Sequence, residues 1–261
     1  MVSSLSESAV VATLRAAGCV FAEDEAALLV SAARTPAELT DMVRRRASGL
    51  PLEPILGWAE FCGLRIIVEH GVFVPRRRTA FLVAQAAALA RSGSVVVDLC
   101  CGSGAVGTAL AASVPGIRLY AADIEAAAVR CARRNIEPLG GQVFEGDLYE
   151  PLPDALRGTV DILAVNAPYV PSEEIAMMPP EARIHEPRVT LDGGADGLDV
   201  QRRVAAQASA WLRPGGCVLI ETSRRQAPVT AEIFASYGLT PQVMTDDELS
   251  ASVVIGTRPL S

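Results

Sequence analysis

The sequence contains no lysine: all 23 of its strongly basic residues are arginine. That absence removes Schiff-base lysine chemistry and the phosphate-gripping lysine of a Walker A loop. Histidine is nearly missing as well, with only His70 and His185. The six cysteines, at 19, 62, 100, 101, 131 and 217, form no C-x-x-C pair and have no companion histidine cluster. Neither a metal site nor a disulfide framework is therefore expected, and reduced thiols fit best. Aromatic residues are scarce, at 5%. Mean hydropathy is +0.31, but the excess comes mostly from scattered alanines, and no uncharged apolar run reaches the roughly 18–20 residues of a bilayer span. The opening stretch, MVSSLSESAVVATLR, has no basic start and meets an arginine too soon for a signal peptide. The expectation is a cytoplasmic chain with no membrane partner.

What is present points to a well-cored α/β protein. The chain has 261 residues, room for one large domain or one with a small appendage. Half of the residues are hydrophobic and a fifth are charged, which excludes wholesale disorder. The net charge of −7 argues against stable nucleic-acid binding.

Residues 5–48 carry helical periodicity without glycine-rich loops. Leu14, Ala17 and Phe21 are expected to share one helix face, and AEDEAALLVSAA (22–33) follows with acids in its first turn. Thr35, Pro36 and Glu38 form a helix-start signature. The Arg44–Arg46 run near that helix's end suits the macrodipole and is expected to be a solvated face. Alternation around Leu64–Val68, between Gly63 and Gly71, predicts a β-hairpin, and a helix returns at 79–91. Candidate strands then fall at 94–99, 117–123, 142–144, 159–166, 216–223, 240–245 and 252–258. Helical stretches separate the first three, so a mostly parallel sheet covered on both faces is expected.

The chemistry begins at VVVDLCCGSGAVG. Gly102, Gly104 and Gly107 match G-x-G-x-x-G, and Asp123 ends the next strand. Small residues here let the chain turn sharply and bring backbone N–H groups to a ligand, while the acid suits a ribose diol. Nicotinamide and S-adenosylmethionine (SAM) enzymes share this pattern, and two details separate them. Dinucleotide folds place the first glycine directly after the strand, whereas Asp98-Leu99-Cys100-Cys101 intervene here. A carboxylate at Asp98 would also repel pyrophosphate, yet it suits the cationic methionyl part of SAM. The adjacent thiols of Cys100 and Cys101 are expected to be packing groups, one lining the cofactor and one turned to the core.

A second constellation, DILAVNAPYVP, ends the fourth strand, facing the crevice where ligands bind in open α/β sheets. Asn166 offers a side-chain acceptor, Pro168 constrains the chain, and Tyr169 adds an aromatic wall. Acceptors converging on an –NH2 group hold its protons and aim the nitrogen at a sulfonium methyl, so catalysis would be by positioning.

These motifs, with PLEPILGWAEFCGL, FVPRRRT, EGDLYEPL, HEPRVTLDGGADGLD and RPGGCVLIE in the same order, resemble the HemK/PrmC-type protein-(glutamine-N5) methyltransferases from about residue 40 onward. The resemblance implies a seven-stranded Rossmann-like class I SAM-dependent methyltransferase domain at 76–261. It also implies a small helical substrate-recognition domain at 1–56 and a β-hairpin linker at 57–75. It places the residues from Cys100 to Gly104, including Cys101, Gly102 and Ser103, around the methionyl part of SAM. Asp123 and the neighbouring Ile124 fall at the ribose, Asp147 and Leu148 near the adenine, and Asn166, Ala167, Pro168 and Tyr169 on a substrate amide. Glu221 and Gln226 become supporting polar groups, the 185–199 stretch shapes the substrate mouth, and His185 is not the expected base. The implied partner is a glutamine-bearing, translation-related protein, and the chain itself is expected to be a monomer.

Three departures stand out. NAPY replaces N-P-P-Y, with Ala167 still offering a carbonyl. Cys100 replaces the first glycine of the loop, which requires its φ to be negative. PRRRTA (75–80) replaces P-R-P-[DE]-T-E, losing an acid and gaining arginines, so that Arg76–Arg78 face either a partner or solvent. Such changes fit a divergent paralogue. Methylation of an exocyclic amine in nucleic acid, of a small molecule or peptide, or a SAM-binding protein with a decayed site remain the alternatives.

Overall fold

The computed structural model describes residues 6–260. Residues 1–5, which open the expected helical domain and the stretch weighed as a signal peptide, lie outside the described residues. The chain starts with α1 (Glu7–Ala16), α2 (Ala22–Ala32), α3 (Pro36–Ala47) and the short α4 (Leu52–Leu56). Ser6 caps α1, and Thr35 caps α3 by accepting the Glu38 N–H at 3.1 Å. The Glu38 carboxylate closes the box one residue early, on the Arg34 N–H at 2.8 Å. Val10 and Leu14 of α1 pack with Ala26, Leu29, Met42 and Val43 in a small separate core. Ala17 and Phe21 do not share that face. The helix stops before Ala17–Gly18, so the 3.6-residue period is interrupted and Phe21 is left 67% exposed.

The arginine run at the end of α3 also departs from expectation. Arg46 is buried, donating from Nε to Glu25 at 2.6 Å, from Nη1 to the Leu50 carbonyl at 2.9 Å, and pairing with Glu181. Its planar fork satisfies several acceptors at once, which a solvated face would not require.

β1 (Trp58–Phe61) and β2 (Leu64–Ile67) form the antiparallel hairpin, with Trp58 opposite Ile67. α5 (Ala80–Leu89) follows, and then β3 (Val95–Leu99), α6 (Ala105–Ser113), β4 (Arg118–Asp123), α7 (Ala126–Ile136), β5 (Gln142–Glu145) and β6 (Val160–Val165). Beyond them come α8 (Pro180–His185), α9 (Asp199–Trp211), β7 (Leu212–Thr222), α10 (Ala227–Ser236), β8 (Thr240–Asp246) and β9 (Ala251–Thr257). Among the described residues the large sheet has seven strands in the order β5-β4-β3-β6-β7-β9-β8, with β9 antiparallel to both its neighbours and the other pairs parallel. This is the Rossmann-like arrangement, preceded by a helical subdomain.

The central strands read as unbroken hydrophobic runs because both faces are covered. On β6, Ile162 and Ala164 join the core under α5, α6 and α7, while Leu163 and Val165 join the opposite core under α9 and α10. In that second core Tyr149 stacks on Trp211 at 5.5 Å and its hydroxyl donates to the Val204 carbonyl. From β3 the chain leaves toward β4 on one side and returns as β6 on the other, so a crevice opens at the carboxyl ends of β3 and β6. Asn135 of α7 ties the hairpin to this crevice: its Nδ2 donates to the Ile67 and Ser103 carbonyls, and its Oδ1 accepts from the Ile67 N–H.

Candidate active site

A cavity of about 210 Å³ occupies that crevice. Its cofactor end grows from β3 and β4. After Leu99 the chain turns at Cys100 with φ of +55°, and the Cys101 N–H donates to the Ala122 carbonyl. The expectation of a negative φ at Cys100 is thus overturned. The turn is the one that a glycine would make, and a side chain there costs roughly 1–2 kcal/mol. Asp123 braces the loop from β4: one oxygen accepts the Gly102 N–H at 2.8 Å and the other the Glu125 N–H at 2.9 Å. Burial raises its pKa against those two hydrogen bonds. Each oxygen keeps a second lone pair for a ligand hydroxyl.

Asp98 is almost fully enclosed. Its Oδ2 accepts the Gly107 N–H at 2.8 Å, and a Cβ at Gly107 would stand 3.2 Å from that oxygen, so the third glycine of the motif allows α6 to approach β3. Burial lifts the Asp98 pKa to about 7, with the Gly107 hydrogen bond opposing and Asp123 reinforcing. Cys101 is buried in the core, Cys100 packs against the core on the other face of the sheet, and both line the cavity. Burial pushes both thiols upward in pKa, which keeps them protonated and unreactive.

Gly104 is the exception among the expected cofactor residues. It does not line the cavity: with φ of +77°, its missing side chain would lie 2.8 Å from Ile136. Its role is packing against α7. Ser103, Ile124, Asp147 and Leu148 do line the same cavity. Arg203 of α9, which no local pattern marked, lines it too and donates to Asp147 at 2.5 Å.

The acceptor end begins where β6 stops. Asn166, Ala167, Pro168 and Tyr169 all line the cavity. Thr79, fully buried just before α5, stands 3.5 Å from the Asn166 Nδ2 and accepts from it, which turns the Asn166 oxygen away from Thr79. The Tyr169 hydroxyl donates to Glu221 at 3.1 Å, and Arg78 Nε donates to the same oxygen at 3.2 Å. Burial, then the Glu221 charge, holds the Tyr169 phenol well above its usual pKa. Gln226 donates from Nε2 to the Tyr169 and Asp196 carbonyls at 2.9 and 3.0 Å.

Arg76 likewise pairs inward, with Glu186 at 2.5 Å, while stacking over Phe73. Of the run Arg76–Arg78, only Arg77 is simply exposed without such a tie; the other two are anchored to internal carboxylates rather than left to solvent or to a partner alone. Val189, Thr190, Leu191 and Asp192 close the mouth, whereas His185 does not line the cavity and lies toward Gly49. Sequence reasoning missed Thr79, Phe73 and Arg203, since each reaches the site from a distant segment.

Residues 63–193, half of the chain, match the family described as "Methyltransferase small domain". The release factor glutamine methyltransferase of Geobacter sulfurreducens is 36% identical over 83% of this chain and 76% of its own length. The 4-amino-L-phenylalanine/4-methylamino-L-phenylalanine methyltransferase of Streptomyces pristinaespiralis is also 36% identical, over 78% of this chain and 71% of its own. A methyltransferase structure from Pyrococcus furiosus shares the fold, with a TM-score of 0.58 at 18% identity over 76% of this chain and 90% of that one. At this identity and coverage the chain belongs to the HemK/PrmC family of SAM-dependent methyltransferases, in which the release factor glutamine methyltransferases fall.

Proposed function

We propose that this chain is a cytoplasmic, monomeric enzyme that methylates the side-chain amide nitrogen of a glutamine in a translation-related protein. The observation that carries this reading is the meeting of two loops in one cavity: the acid-lined turn after β3 and the Asn166–Tyr169 turn after β6. The donor set fits SAM, because the buried Asp98 and the partly buried Asp123 lie where a sulfonium and an ammonium need counter-charge, and Arg203 beside them is paired with Asp147. Asp98 and the Cys100–Ser103 turn would hold the methionyl part. Asp123 and Ile124 would hold the ribose, and Asp147 and Leu148 the adenine. When bound, SAM supplies an electrophilic methyl group on sulfur.

The chain's own residues supply position and exclusion of water. Asn166 Oδ1, held by Thr79 on its amine side, accepts a hydrogen bond from one N–H of the substrate amide, and the Ala167 carbonyl is the second acceptor. Together they restrain the –NH2 group so that its nitrogen meets the methyl carbon. Methyl transfer to that nitrogen would release one of its protons, which would pass to solvent at the mouth. Tyr169, fixed by Glu221 and Gln226, walls the acceptor side. Positioning of this kind lowers barriers without a strong base. That suits a site that neither of the two histidines, His70 and His185, lines.

A second reading, N-methylation of an amino-acid-like amine, draws support from the Streptomyces pristinaespiralis relative at equal identity. Incubation with methyl-tritiated SAM and fractionated cytosol separates the two. Label recovered as N5-methylglutamine from protein supports the first reading, and label confined to RNA or to small amines overturns it.

A further inference from the structure

Arg76 and Arg78 both line the acceptor end, and each is anchored from behind by one oxygen of a buried glutamate. The glutamate side chains are only 3% and 2% exposed, whereas Arg78 is 47% exposed. Arg78 gives Nε to Glu221, and beyond the neighbouring Tyr169 hydroxyl its two Nη groups have no hydrogen-bond partner among the described residues. Its guanidinium lies 5.8 Å from the Tyr169 ring centre, one residue before the threonine that orients Asn166. Arg76 gives Nη2 to Glu186 and rests 4.9 Å over the Phe73 ring.

A guanidinium presents several donors in one plane, and its Nη edge matches the two oxygens of a carboxylate. Binding through a free arginine side chain costs rotamer freedom. Here Glu221 holds the Nε edge and Tyr169 flanks the plane, so much of that freedom is already gone before a ligand arrives. The outer edge is left at the mouth, beside the atoms assigned to the acceptor nitrogen. Bracing of Tyr169 alone would need only the Nε contact.

We propose that the methyl acceptor carries a carboxylate close to the nitrogen that is methylated, and that the outer edge of Arg78, flanked by Arg76, receives it. The proposal rests on the reading of this cavity end as the acceptor site. Such a carboxylate has two sources: an acidic residue next to the glutamine in a peptide, or the α-carboxylate of a free amino acid.

The test uses the full chain saturated with S-adenosylhomocysteine and measures Kd by calorimetry for two matched pairs of probes. One pair is an N-acetylated, C-amidated Ala-Gln-Glu tripeptide against its Ala-Gln-Gln counterpart. The other is free L-glutamine against L-glutamine with its α-carboxyl amidated. In at least one pair the acidic probe should bind about tenfold more tightly, and the pair that shows it identifies the source. Arg78→Gln should bring that ratio to about one, and Arg78→Lys, which keeps the charge but loses the fork, should retain part of it. Retained S-adenosylhomocysteine binding checks that each variant is folded. Equal binding within both pairs, no binding of either acidic probe up to about 10 mM, or a preference that survives Arg78→Gln overturns the proposal. Methyl transfer to the glutamine nitrogen is scored separately with SAM. Its absence alongside an intact preference removes the glutamine reading and leaves the carboxylate site, while transfer without preference does the reverse.

Discussion

The two ends of the cavity are built in opposite ways. The cofactor end draws Asp98 to Ser103 and Asp123 from two adjacent strands and the turns that follow them, and most of its polar contacts run to backbone N–H groups. The acceptor end gathers Thr79, Asn166, Tyr169, Glu221 and Gln226 from four separate segments, and its contacts run mostly between side chains. A backbone-defined site tolerates changes of side chain wherever the turn survives, as Cys100 in a glycine-like conformation shows. A side-chain network depends on each member, so its chemistry shifts with single substitutions. The cofactor end should therefore be robust and the acceptor end adaptable.

The sharpest test of that contrast is Asn166→Ala. Loss of a preoriented polar contact should lower kcat by roughly 10²–10³ while leaving S-adenosylhomocysteine affinity nearly unchanged, read by single-turnover methyl transfer and calorimetry. Equal losses in both would mean that the two ends do not act separately. Asp123→Ala comes next. It should weaken SAM binding by about 1–3 kcal/mol, because it removes the ribose contact and also frees the Gly102 and Glu125 N–H groups. A thermal shift with SAM but not with NAD accompanies it in the unaltered protein.

Asp98 provides a pH test. Its pKa near 7 in the fold lies above the ordinary aspartate value. Its contribution to stability is therefore complete below the ordinary pKa and is lost as pH rises toward 7. Asp98→Asn should remove that dependence, so its stability relative to the parent protein should improve between about pH 4 and pH 7, measured by chemical denaturation. Cationic SAM favours the ionised carboxylate, so its affinity should rise by about tenfold from pH 6 to pH 8, and the asparagine variant should show a flat profile. The smallest effect belongs to Cys100→Gly. Relief of the left-handed turn outweighs the added flexibility of glycine by about 0.5 kcal/mol, visible as a modest rise in Tm with most activity retained. A clear fall in Tm would show that the Cys100 side chain is needed where it packs against the core.

The difference between the ends also explains how much of each was legible in the residue order. DLCCGSGAVG carries its own geometry, because a parallel strand, a tight turn and a helix start are local events. Gly104 is less legible, since a glycine written into a loop motif does not say whether its open side faces the ligand or, as here, Ile136. NAPY marked the acceptor turn, but nothing adjacent to it pointed to Thr79, 87 residues earlier in the chain. The sequence puts Arg46 on a solvated face, as charge runs usually are, and leaves Arg78 between a partner and solvent; their carboxylate partners come from other segments of the chain.

The sequence by itself determined the parallel sheet, through buried runs such as VVVDL and DILAVN whose both faces must be covered, and it determined the cofactor turn through its glycines. The tertiary structure alone decided which acid braces which loop, that Cys100 adopts a glycine conformation, and that two arginines are held at the mouth by buried glutamates. The physical reason is range. Hydrophobic periodicity and turn chemistry act over a few residues, whereas an ion pair or a side-chain hydrogen bond joins whatever the folded chain brings within about 3 Å.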